Sequence, residues 1–383
     1  MKIGLDARFV GPQGTGLGKY TEKLIQNLAK IDKNNCYSVF LQKNNWNFLS
    51  LPNNFKKVLA DIKWYSLDEQ IKMPGIYKKE NLDILHVPHF NVPVFYNRKF
   101  VVTIHDLIHH QFTETSATTR NPLIFKGKRL AYRKVINHAI AKSVKIITPS
   151  KYVKSQLLSQ YKVAETKIAV TYEAAEEEYA VSPSHPERSE GSILKKYKIS
   201  PPFVIYVGNA YPHKNLDNLL EAFGLLLSHH PTIPPSLRLV IVCARDIFAK
   251  RLEEKIIALG LTDRVTLTGY ITSGELSAIF KSAEAYVFPT LSEGFGIPGL
   301  NAMASNLPVI CSDIPVLREI YGEAATYFDP KNPEEIALNT YKCLSDKNLQ
   351  KQLIKSGIEK VGEYSWNKMA KQTLDIYEEG VKS

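Results

Sequence analysis

The chain of 383 residues has little cysteine and no long hydrophobic run. Its four cysteines, Cys36, Cys243, Cys311 and Cys343, lie far apart and form no C-x-x-C pair. This spacing argues against a zinc site and a disulfide framework, and it fits a reducing cytoplasm. No run approaches the roughly 18 uncharged apolar residues needed to span a bilayer. The opening residues Lys2–Asp6 already have a strand pattern, so we expect no signal peptide.

Acidic residues are missing between Arg120 and Lys154, in a chain whose net charge is +11. Apolar residues recur in this span at helical spacing, which predicts a helix with one apolar face. Two interpretations of its basic side stay open: a solvated face, or a surface that docks on anionic lipid headgroups at about 1 kcal/mol per Lys or Arg. Interleaved aromatics and a reading helix are lacking, so nucleic acid is disfavoured. The basic residues are Arg120, Lys126, Lys128, Arg129, Arg133, Lys134, Lys142, Lys145, Lys151 and Lys154, and the apolar ones are Ile124, Phe125, Leu130, Tyr132, Val135, Ile136, Ala139 and Ile140.

Length and pattern predict two domains of under 200 residues each. Both halves alternate short apolar strands with helices, which is typical of a parallel sheet covered on both faces. The polar stretch Val181–Ser192 lacks periodicity and is interpreted as an interdomain linker. We therefore expect an α/β protein with domains at 1–182 and 193–365, and ligands at the carboxyl ends of the strands. The strands are expected at Ile3–Asp6, Tyr37–Gln42, Ile84–His86, Phe100–His105, Lys145–Thr148, Lys167–Thr171, Phe203–Val207, Arg238–Cys243, Arg264–Thr268, Ala285–Phe288, Val309–Ser312 and Ala325–Phe328, and helices at Gly18–Lys30, Asn121–Lys142, Lys151–Gln160, Asn215–Ser228 and Ser273–Lys281.

A glycine cluster, Gly11 to Gly18, follows the first strand and precedes a helix. The dinucleotide fingerprint G-x-G-x-x-G fails here, because counting from Gly14 puts Lys19 at the third glycine, and the second strand lacks a clear acidic residue for a ribose diol. NAD binding is therefore disfavoured. Such a loop lets the backbone approach a ligand closely at a helix N-terminus, and a purely structural turn is the alternative.

Histidines cluster at the end of the Phe100–His105 strand, as His105, His109 and His110 around Asp106. No cysteine or further carboxylate completes a metal shell, and helical i, i+4 spacing of His105 and His109 is not assured where a strand is ending, so a metal is disfavoured. A histidine at a strand's carboxyl end can hydrogen-bond a sugar hydroxyl, and a satisfied surface histidine is the alternative.

Two loops of the second half suit a phosphate. Lys214 stands just before a helix, after the strand Phe203–Val207 and Gly208, where it can neutralise a diphosphate leaving group. The second loop places backbone N–H groups and a helix N-terminus, opened by Pro298, beside the carboxylate of Glu293. The N–H groups suit a phosphate and the carboxylate suits hydroxyls, so the pair of loops indicates a sugar-nucleotide site.

The second loop, P-T-L-S-E-G-F-G-I-P-G-L-N-A-M-A-S at Pro289–Ser305, resembles the donor-binding loop of retaining glycosyltransferases of family 4. The wording P-H-K-N-L at Pro212–Leu216 is shared with mannosyltransferase-like members. The resemblance covers nearly the whole chain and implies the GT-B fold: two doubly wound Rossmann-like domains facing across a cleft, with a helix at 366–383 crossing back to the first domain. It implies an acceptor-binding first domain and a donor-binding second domain. The Asp-x-Asp metal motif of the other major glycosyltransferase fold is absent.

The resemblance assigns roles to matching residues. Glu293, His105 and Lys214 are the expected catalytic residues, with Glu293 on the donor-sugar hydroxyls, His105 beside the donor sugar and Lys214 on the diphosphate. The family commonly has Arg where Asn209 stands, and has a second Glu, for the ribose diol, where Asn301 stands. If Asn301 only weakens the contact to the ribose diol, the loss of donor-binding free energy would be roughly 1–3 kcal/mol. The expected donor-binding residues are Gly14, Gly16, Asn209, Lys214, Gly269, Tyr270, Glu293, Gly294, Phe295, Gly296, Ile297 and Asn301.

The implied reaction moves a hexose from a nucleoside diphosphate sugar to an acceptor hydroxyl with retention, by a front-face mechanism in which the leaving phosphate helps deprotonate the acceptor. GDP-mannose is favoured over UDP- or dTDP-sugars, with no separate cofactor and no metal. The acceptor is expected to be a glycan or lipid-linked intermediate, and the location cytoplasmic, with the basic span Arg120–Lys154 at the inner face of the membrane. Two alternatives remain: a non-catalytic sugar-nucleotide-binding subunit, and a membrane-surface adaptor with a degenerate site.

Overall fold

The computed structural model describes residues 1–11, 14–108, 122–180, 188–244 and 246–383. The chain divides into two compact units. The first contains Met1–Leu107, residues 122–173 and Ser365–Ser383, and the second contains Ile108 and Ala174–Tyr364. The change of unit at Glu173 comes nine residues before the expected boundary at residue 182, and the return to the first unit at Ser365 comes one residue before the expected start of the last helix at residue 366.

A seven-stranded parallel sheet forms the centre of the first unit, in the order β3-β2-β1-β4-β5-β6-β7. Strand β3 was not predicted from the sequence. It lies at the sheet edge and pairs only with β2, with Phe55 opposite Tyr37. Its sequence F-K-K-V-L contains two lysines, which an edge strand tolerates, so it lacks the continuous apolar run by which the other strands were predicted. The strands are β1 Lys2–Asp6, β2 Cys36–Leu41, β3 Phe55–Leu59, β4 Ile84–Val87, β5 Phe100–Thr103, β6 Lys145–Thr148 and β7 Ile168–Val170.

A six-stranded parallel sheet forms the second unit, in the order β10-β9-β8-β11-β12-β13. All six strands were predicted to within about two residues, since each is a short and mainly apolar run, and β8, β9, β11 and β12 are almost fully buried. Two such sheets confirm the predicted pair of doubly wound Rossmann-like domains. The strands are β8 Phe203–Val207, β9 Arg238–Val242, β10 Val265–Leu267, β11 Ala285–Phe288, β12 Val309–Ser312 and β13 Ala325–Phe328.

Helices connect the strands of both sheets, and the last one returns to the first unit. Its Tyr377 hydroxyl lies 2.6 Å from Nδ1 of His86, which is buried in β4. This contact ties the chain end to the first sheet, as predicted. The helices are α1 Thr15–Ile31, α2 Leu67–Lys79, α3 Pro122–Lys142, α4 Lys151–Gln160, α5 Arg188–Lys196, α6 Leu216–His229, α7 Ile247–Ala258, α8 Ser273–Lys281, α9 Ile297–Ala304, α10 Pro315–Tyr321, α11 Pro333–Ser345, α12 Lys347–Gly362 and α13 Trp366–Lys382.

The expected linker Val181–Ser192 needs correction at its end. Residues 181–187 lie outside the described part, but residues 188–192 begin helix α5. The helix is held against α8, because Lys196 pairs with Glu275 and the Tyr197 hydroxyl donates to the same carboxylate at 2.9 Å. This tertiary contact stabilises a helix whose start looked like a linker in sequence.

Helix α3 confirms the helix predicted in the basic span, and it buries Ile136, Ala139 and Ile140. Leu130, expected on the apolar face, is instead 72% exposed. Part of the positive charge is also neutralised, since Lys145 pairs with Glu379 at 2.7 Å. Arg120 lies outside the described residues. None of the helices that the structure describes has the length and apolarity to cross a membrane.

Candidate functional site

The loop after β8 is bound to the loop after β11 through one carbonyl group. The carbonyl oxygen of His213 accepts from the Leu291 N–H at 2.8 Å and from the Thr290 hydroxyl at 3.2 Å. Asn215 fixes the next residue of the same loop. Its backbone is left-handed, with φ of 60°, and its buried side-chain amide donates to the carbonyl oxygens of Pro289 and Pro330. These bonds fix the relative position of three strand ends.

Lys214 and Glu293 meet between the first two of these loops, where they form an ion pair. Their side chains are only 13% and 12% exposed, so solvent screens the pair less than it screens a surface pair. The Lys214 ammonium also lies 5.8 Å from the centre of the Phe288 ring. The structure thus brings together the two residues of this unit that the sequence predicted to be catalytic.

The helix N-terminus predicted beside Glu293 is the start of α9. Gly296 caps it with φ of 104°, a conformation that L side chains rarely adopt. The hydroxyl of buried Tyr321 donates to the Gly296 carbonyl and leaves no room for a Cβ at Gly296 or Gly299. Phe295 is buried, and its ring packs edge-on to Tyr364 at 5.7 Å. The loop is therefore shaped by packing, with its backbone near Glu293.

Asn301 occupies a different environment from the one expected for a ribose contact. It is buried, and its Oδ1 accepts from the Glu176 N–H at 2.9 Å while its Nδ2 donates to Glu176 Oε1 at 3.2 Å. The other Glu176 oxygen accepts from the Ser273 hydroxyl at 3.4 Å. Both polar atoms of the Asn301 side chain are thus bound to Glu176, and the ribose contact stays a prediction.

Three other residues that were predicted for the donor site lie in the loops after β8 and β10. Asn209 closes its own loop, because its Oδ1 accepts from the Tyr211 N–H at 3.3 Å and its carbonyl from the Tyr206 hydroxyl at 2.9 Å. Gly269 follows β10 with φ of 82°, and the ring of Tyr270 is 64% exposed. An exposed ring at a strand end is able to stack on a flat ligand.

In the first unit, the glycine loop separates into a packed and an open position. A Cβ on Gly14 would overlap the Phe9 carbonyl oxygen, so Gly14 is required by packing. Gly16 is exposed in the first turn of α1, and a Cβ there would meet nothing within 4 Å. The structure therefore leaves room for a ligand at Gly16 and not at Gly14.

His105 is held by the protein on both ring nitrogens. Nε2 lies 3.0 Å from the Pro88 carbonyl oxygen, and Nδ1 lies 3.3 Å from the Glu173 carboxylate. Because a carbonyl oxygen only accepts, Nε2 carries the hydrogen that it donates to Pro88, and Nδ1 faces the Glu173 carboxylate. The ring of buried Tyr20 packs edge-on to His105 at 4.6 Å. The predicted contact with a sugar hydroxyl would have to replace one of these partners, and it stays a prediction.

Three residues that hold the predicted site residues in place were not predicted from the sequence: Glu173, Glu176 and Asn215. The two glutamates belong to an acidic stretch that has the pattern of a solvated surface. Asn215 had one signal, since asparagine is enriched where the backbone is left-handed. Across the described ranges, no three His, Cys, Asp or Glu side chains gather as a metal site would require, and His109 and His110 lie outside those ranges.

Two family models match the chain in succession. Residues 47–178 match the model described as Glycosyltransferase Family 4. Residues 192–360 match the model described as Glycosyl transferases group 1. The loops that carry Lys214 and Glu293 lie in the second match, and His105 lies in the first.

Curated relatives and solved structures are similar over most of the chain. The O-antigen chain mannosyltransferase RfbU of Salmonella typhimurium is 26% identical over 371 residues, covering 90% of this chain and 96% of the relative. The O-antigen chain mannosyltransferase B of Escherichia coli is 26% identical over 296 residues, covering 77% and 74%. The sucrose-phosphate synthase of Thermosynechococcus elongatus superposes with a TM-score of 0.77 at 20% identity, covering 99% and 98%. This structural likeness shows the GT-B fold.

Proposed function

Because the chain belongs to the family 4 glycosyltransferases of GT-B fold, we propose that it transfers a hexose from a nucleoside diphosphate sugar to an acceptor hydroxyl with retention at the anomeric carbon. The observation that carries this proposal is the Lys214–Glu293 pair beside the start of α9. It joins a cation for a diphosphate with a carboxylate for hydroxyls. These are the two chemistries that a sugar nucleotide requires.

The diphosphate is bound by Lys214 and by the N-terminus of α9. Charge develops on the leaving phosphate as its bond to the sugar breaks, and a fixed ammonium stabilises that charge best when little water surrounds it. Lys214 is 13% exposed, which supports this role, and the same charge makes a divalent ion unnecessary. In the transfer, the acceptor oxygen bonds to the anomeric carbon, the bond to the phosphate breaks, and the phosphate oxygen takes the acceptor proton.

Glu293 holds the donor sugar through hydroxyls once the diphosphate has taken Lys214 from it. A carboxylate accepts only, so it suits a ring that presents several O–H donors. Tyr270, with its exposed ring, stacks on the nucleotide base, and Gly16 allows close backbone approach in the first unit. His105 and Asn209 keep their proposed places beside the donor.

Mannose is the favoured sugar and GDP-mannose the favoured donor. Two curated relatives with broad coverage are named as mannosyltransferases, which supports the sugar, and the wording P-H-K-N-L at Pro212–Leu216 supports it independently. Both are named for O-antigen chains, so a glycan or lipid-linked saccharide is the proposed acceptor. The comparisons give no support to a non-catalytic subunit or an adaptor.

A panel of GDP, UDP, dTDP and ADP in a thermal-shift assay tests the donor. We expect GDP at about 100 times its dissociation constant to add about 2.7 kcal/mol and raise Tm by several degrees, with or without EDTA. Lys214→Ala should remove most of the shift, whereas Lys250→Ala, a change at an exposed lysine of the same unit, should keep it. No shift with any nucleotide would refute the proposed donor site.

The basic side of α3 is proposed to face an anionic membrane surface in the cytoplasm. Exposed Arg133 and Lys134 lie one turn from Leu130, which is 72% exposed, so charge and an apolar side chain occur together. We expect co-sedimentation with phosphatidylglycerol vesicles at low salt, weakened at high salt and by Leu130→Ala with Arg133→Ala. Equal binding to phosphatidylcholine vesicles would contradict this proposal.

A further inference from the structure

Aromatic residues follow three strands of the first sheet at the point where each strand ends. Phe9 comes after β1, Trp64 and Tyr65 come after β3, and His89 and Phe90 come after β4. The strands are parallel, so their carboxyl ends lie at one edge of the sheet, where ligands bind in folds of this type. We call these five residues the aromatic platform.

The rings of the aromatic platform are in mutual contact. Phe9 and Trp64 stack with centres 4.5 Å apart and planes at 21°, and His89 lies 4.1 Å from Phe90. Tyr65 is nearly parallel to Phe90, at 5.9 Å and 23°. Phe9 is buried, Trp64, His89 and Phe90 are half-buried, and Tyr65 is 59% exposed. The platform therefore has a buried base at Phe9, three partly accessible rings and a mostly exposed ring at Tyr65.

Tyr65 adopts a backbone conformation that tyrosine rarely takes. Its φ is 60°, in the left-handed region, and its N–H donates to Glu69 Oε2 at 2.9 Å. Bulky residues are strained there, and such strain concentrates where a ligand is bound. Glycine would fit this backbone better, and the mostly exposed ring contributes little to the core. The position is therefore explained better by a function of the ring than by stability.

A buried polar network fixes the platform from below. Arg8 pairs with Asp6 at 2.6 Å and with Glu69 at 2.7 Å, and Asn91 donates to Glu69 at 2.6 Å. All four residues are at most 1% exposed. Arg8 and Asn91 lie in the loops after β1 and β4, and Glu69 lies in the first turn of α2, where it accepts from the Tyr65 N–H, so the network joins the three segments that carry the rings. Buried charges are tolerated only when paired in this way, which makes the arrangement rigid.

The platform has the chemistry of a carbohydrate site. The C–H faces of a pyranose ring are apolar and pack on aromatic faces, whereas its hydroxyls bond at the ring edge to groups such as the Tyr65 hydroxyl, 3.3 Å from His89 Nδ1. Saccharide is thus favoured over a purely aliphatic ligand.

We propose that the aromatic platform binds a pyranose ring of the glycosyl acceptor. This inference rests on the proposed function, which requires a saccharide acceptor. The groups proposed for the donor diphosphate, Lys214 and the start of α9, belong to the second unit. The platform belongs to the first and supplies aromatic faces, so it is assigned to the other substrate.

Tyr65→Gly tests the platform without the risk of unfolding, because glycine removes the ring and fits the backbone. Binding is measured on the full chain with GDP present, by saturation-transfer NMR with methyl α-D-mannopyranoside, methyl α-D-glucopyranoside and methyl α-D-galactopyranoside. We expect one or more glycosides to bind through ring protons, and Tyr65→Gly to weaken that binding about tenfold or more. Leu67→Ala, at a neighbouring side chain that is 81% exposed, is the matched control and should bind as wild type.

Each other result overturns the proposal. If Tyr65→Gly binds the glycosides as wild type does, or if no glycoside binds while GDP still shifts Tm, the aromatic platform is not the acceptor site. Neither result would contradict the proposed function. If glycoside binding is lost in Leu67→Ala and kept in Tyr65→Gly, the binding site lies on the exposed aliphatic side of α2, as expected for a lipid chain. Absence of the GDP shift in wild type would refute the proposed function itself.

Discussion

Asn301→Glu restores the residue that family 4 usually has at this position, and we predict that it destabilises the protein. If the side chain at position 301 had no protein partner, the new carboxylate would strengthen its contact to a ribose diol. Here the amide Nδ2 of Asn301 donates to Glu176 at 3.2 Å in a buried setting. The substitution replaces that donor with a second carboxylate. The variant therefore places two acceptors, and two negative charges, where a hydrogen bond was.

The cost has two parts. Leaving a buried carboxylate without its donor costs about 1–3 kcal/mol, and the like charge adds to this until one of the two groups takes a proton. A total of roughly 2–4 kcal/mol follows, because the Glu176 N–H can still donate to the new side chain. For a unit of this size the corresponding loss of Tm is roughly 5–15 °C.

Differential scanning calorimetry and urea unfolding measure the change, with Glu176→Gln and the double variant Glu176→Gln/Asn301→Glu completing the cycle. The double variant exchanges donor and acceptor across the contact, so we expect it to recover at least about 1 kcal/mol of the loss. Asn209→Ala, in an irregular loop of the same unit, serves as a control that leaves this contact intact.

One result would refute this reasoning. If Asn301→Glu melts within a degree of wild type and binds GDP more tightly, the side chain at 301 faces the ribose, and Glu176 is not its main partner. Equal stability without tighter binding would refute the magnitude alone, by showing that the buried contact relaxes at little cost.

Three further predictions concern the glycine loop, the buried histidine and the cation. Gly14→Ala should lower Tm because its methyl would overlap the Phe9 carbonyl. Gly16→Ala should leave the free energy of unfolding unchanged or raise it by up to about 1 kcal/mol, and should still lower transfer activity. Burial, reinforced by the charge of His105, lowers the pKa of His86 to about 3, whereas the unfolded chain binds this proton with a pKa of about 6.5. The free energy of unfolding therefore falls as pH falls from about 6.5 towards 3. His86→Gln should reduce the loss of stability between pH 7 and 5 by about 2 kcal/mol, as measured by urea unfolding. Lys214→Ala should lower the kcat of transfer by about 100-fold, whereas a change confined to substrate KM would contradict a role on the leaving phosphate.

Much of the fold followed from the sequence because both sheets are built from short buried apolar runs. β8 and β11 are fully apolar and were predicted to the residue. The exceptions have physical reasons. β3 is an edge strand, so two lysines are tolerated in it, and α5 is stabilised by contacts with α8 that are remote in sequence. Local pattern carries no information about either.

The candidate site was predictable at residues whose side chains have an evident chemical use, and not at the residues that hold them in place. Lys214 and Glu293 were expected because a lysine or a carboxylate beside a helix start has a chemical use. Glu176 was not, since its partner Asn301 is 125 positions away and only folding brings them together. Tyr65 was equally hidden, because a positive φ at a tyrosine leaves no trace in the sequence.

The Lys214–Glu293 pair also explains how such a site stays formed without its substrate. A buried lysine without a partner would carry a large desolvation cost, and the carboxylate offsets it when no donor is bound. A diphosphate has more negative charge than one carboxylate, so under the proposed function it would compete for the ammonium and release Glu293 towards the sugar hydroxyls. Donor binding would then be an exchange of partners around Lys214. We expect a net affinity smaller than the phosphate–lysine attraction alone, with the carboxylate available to the sugar only when the diphosphate is in place.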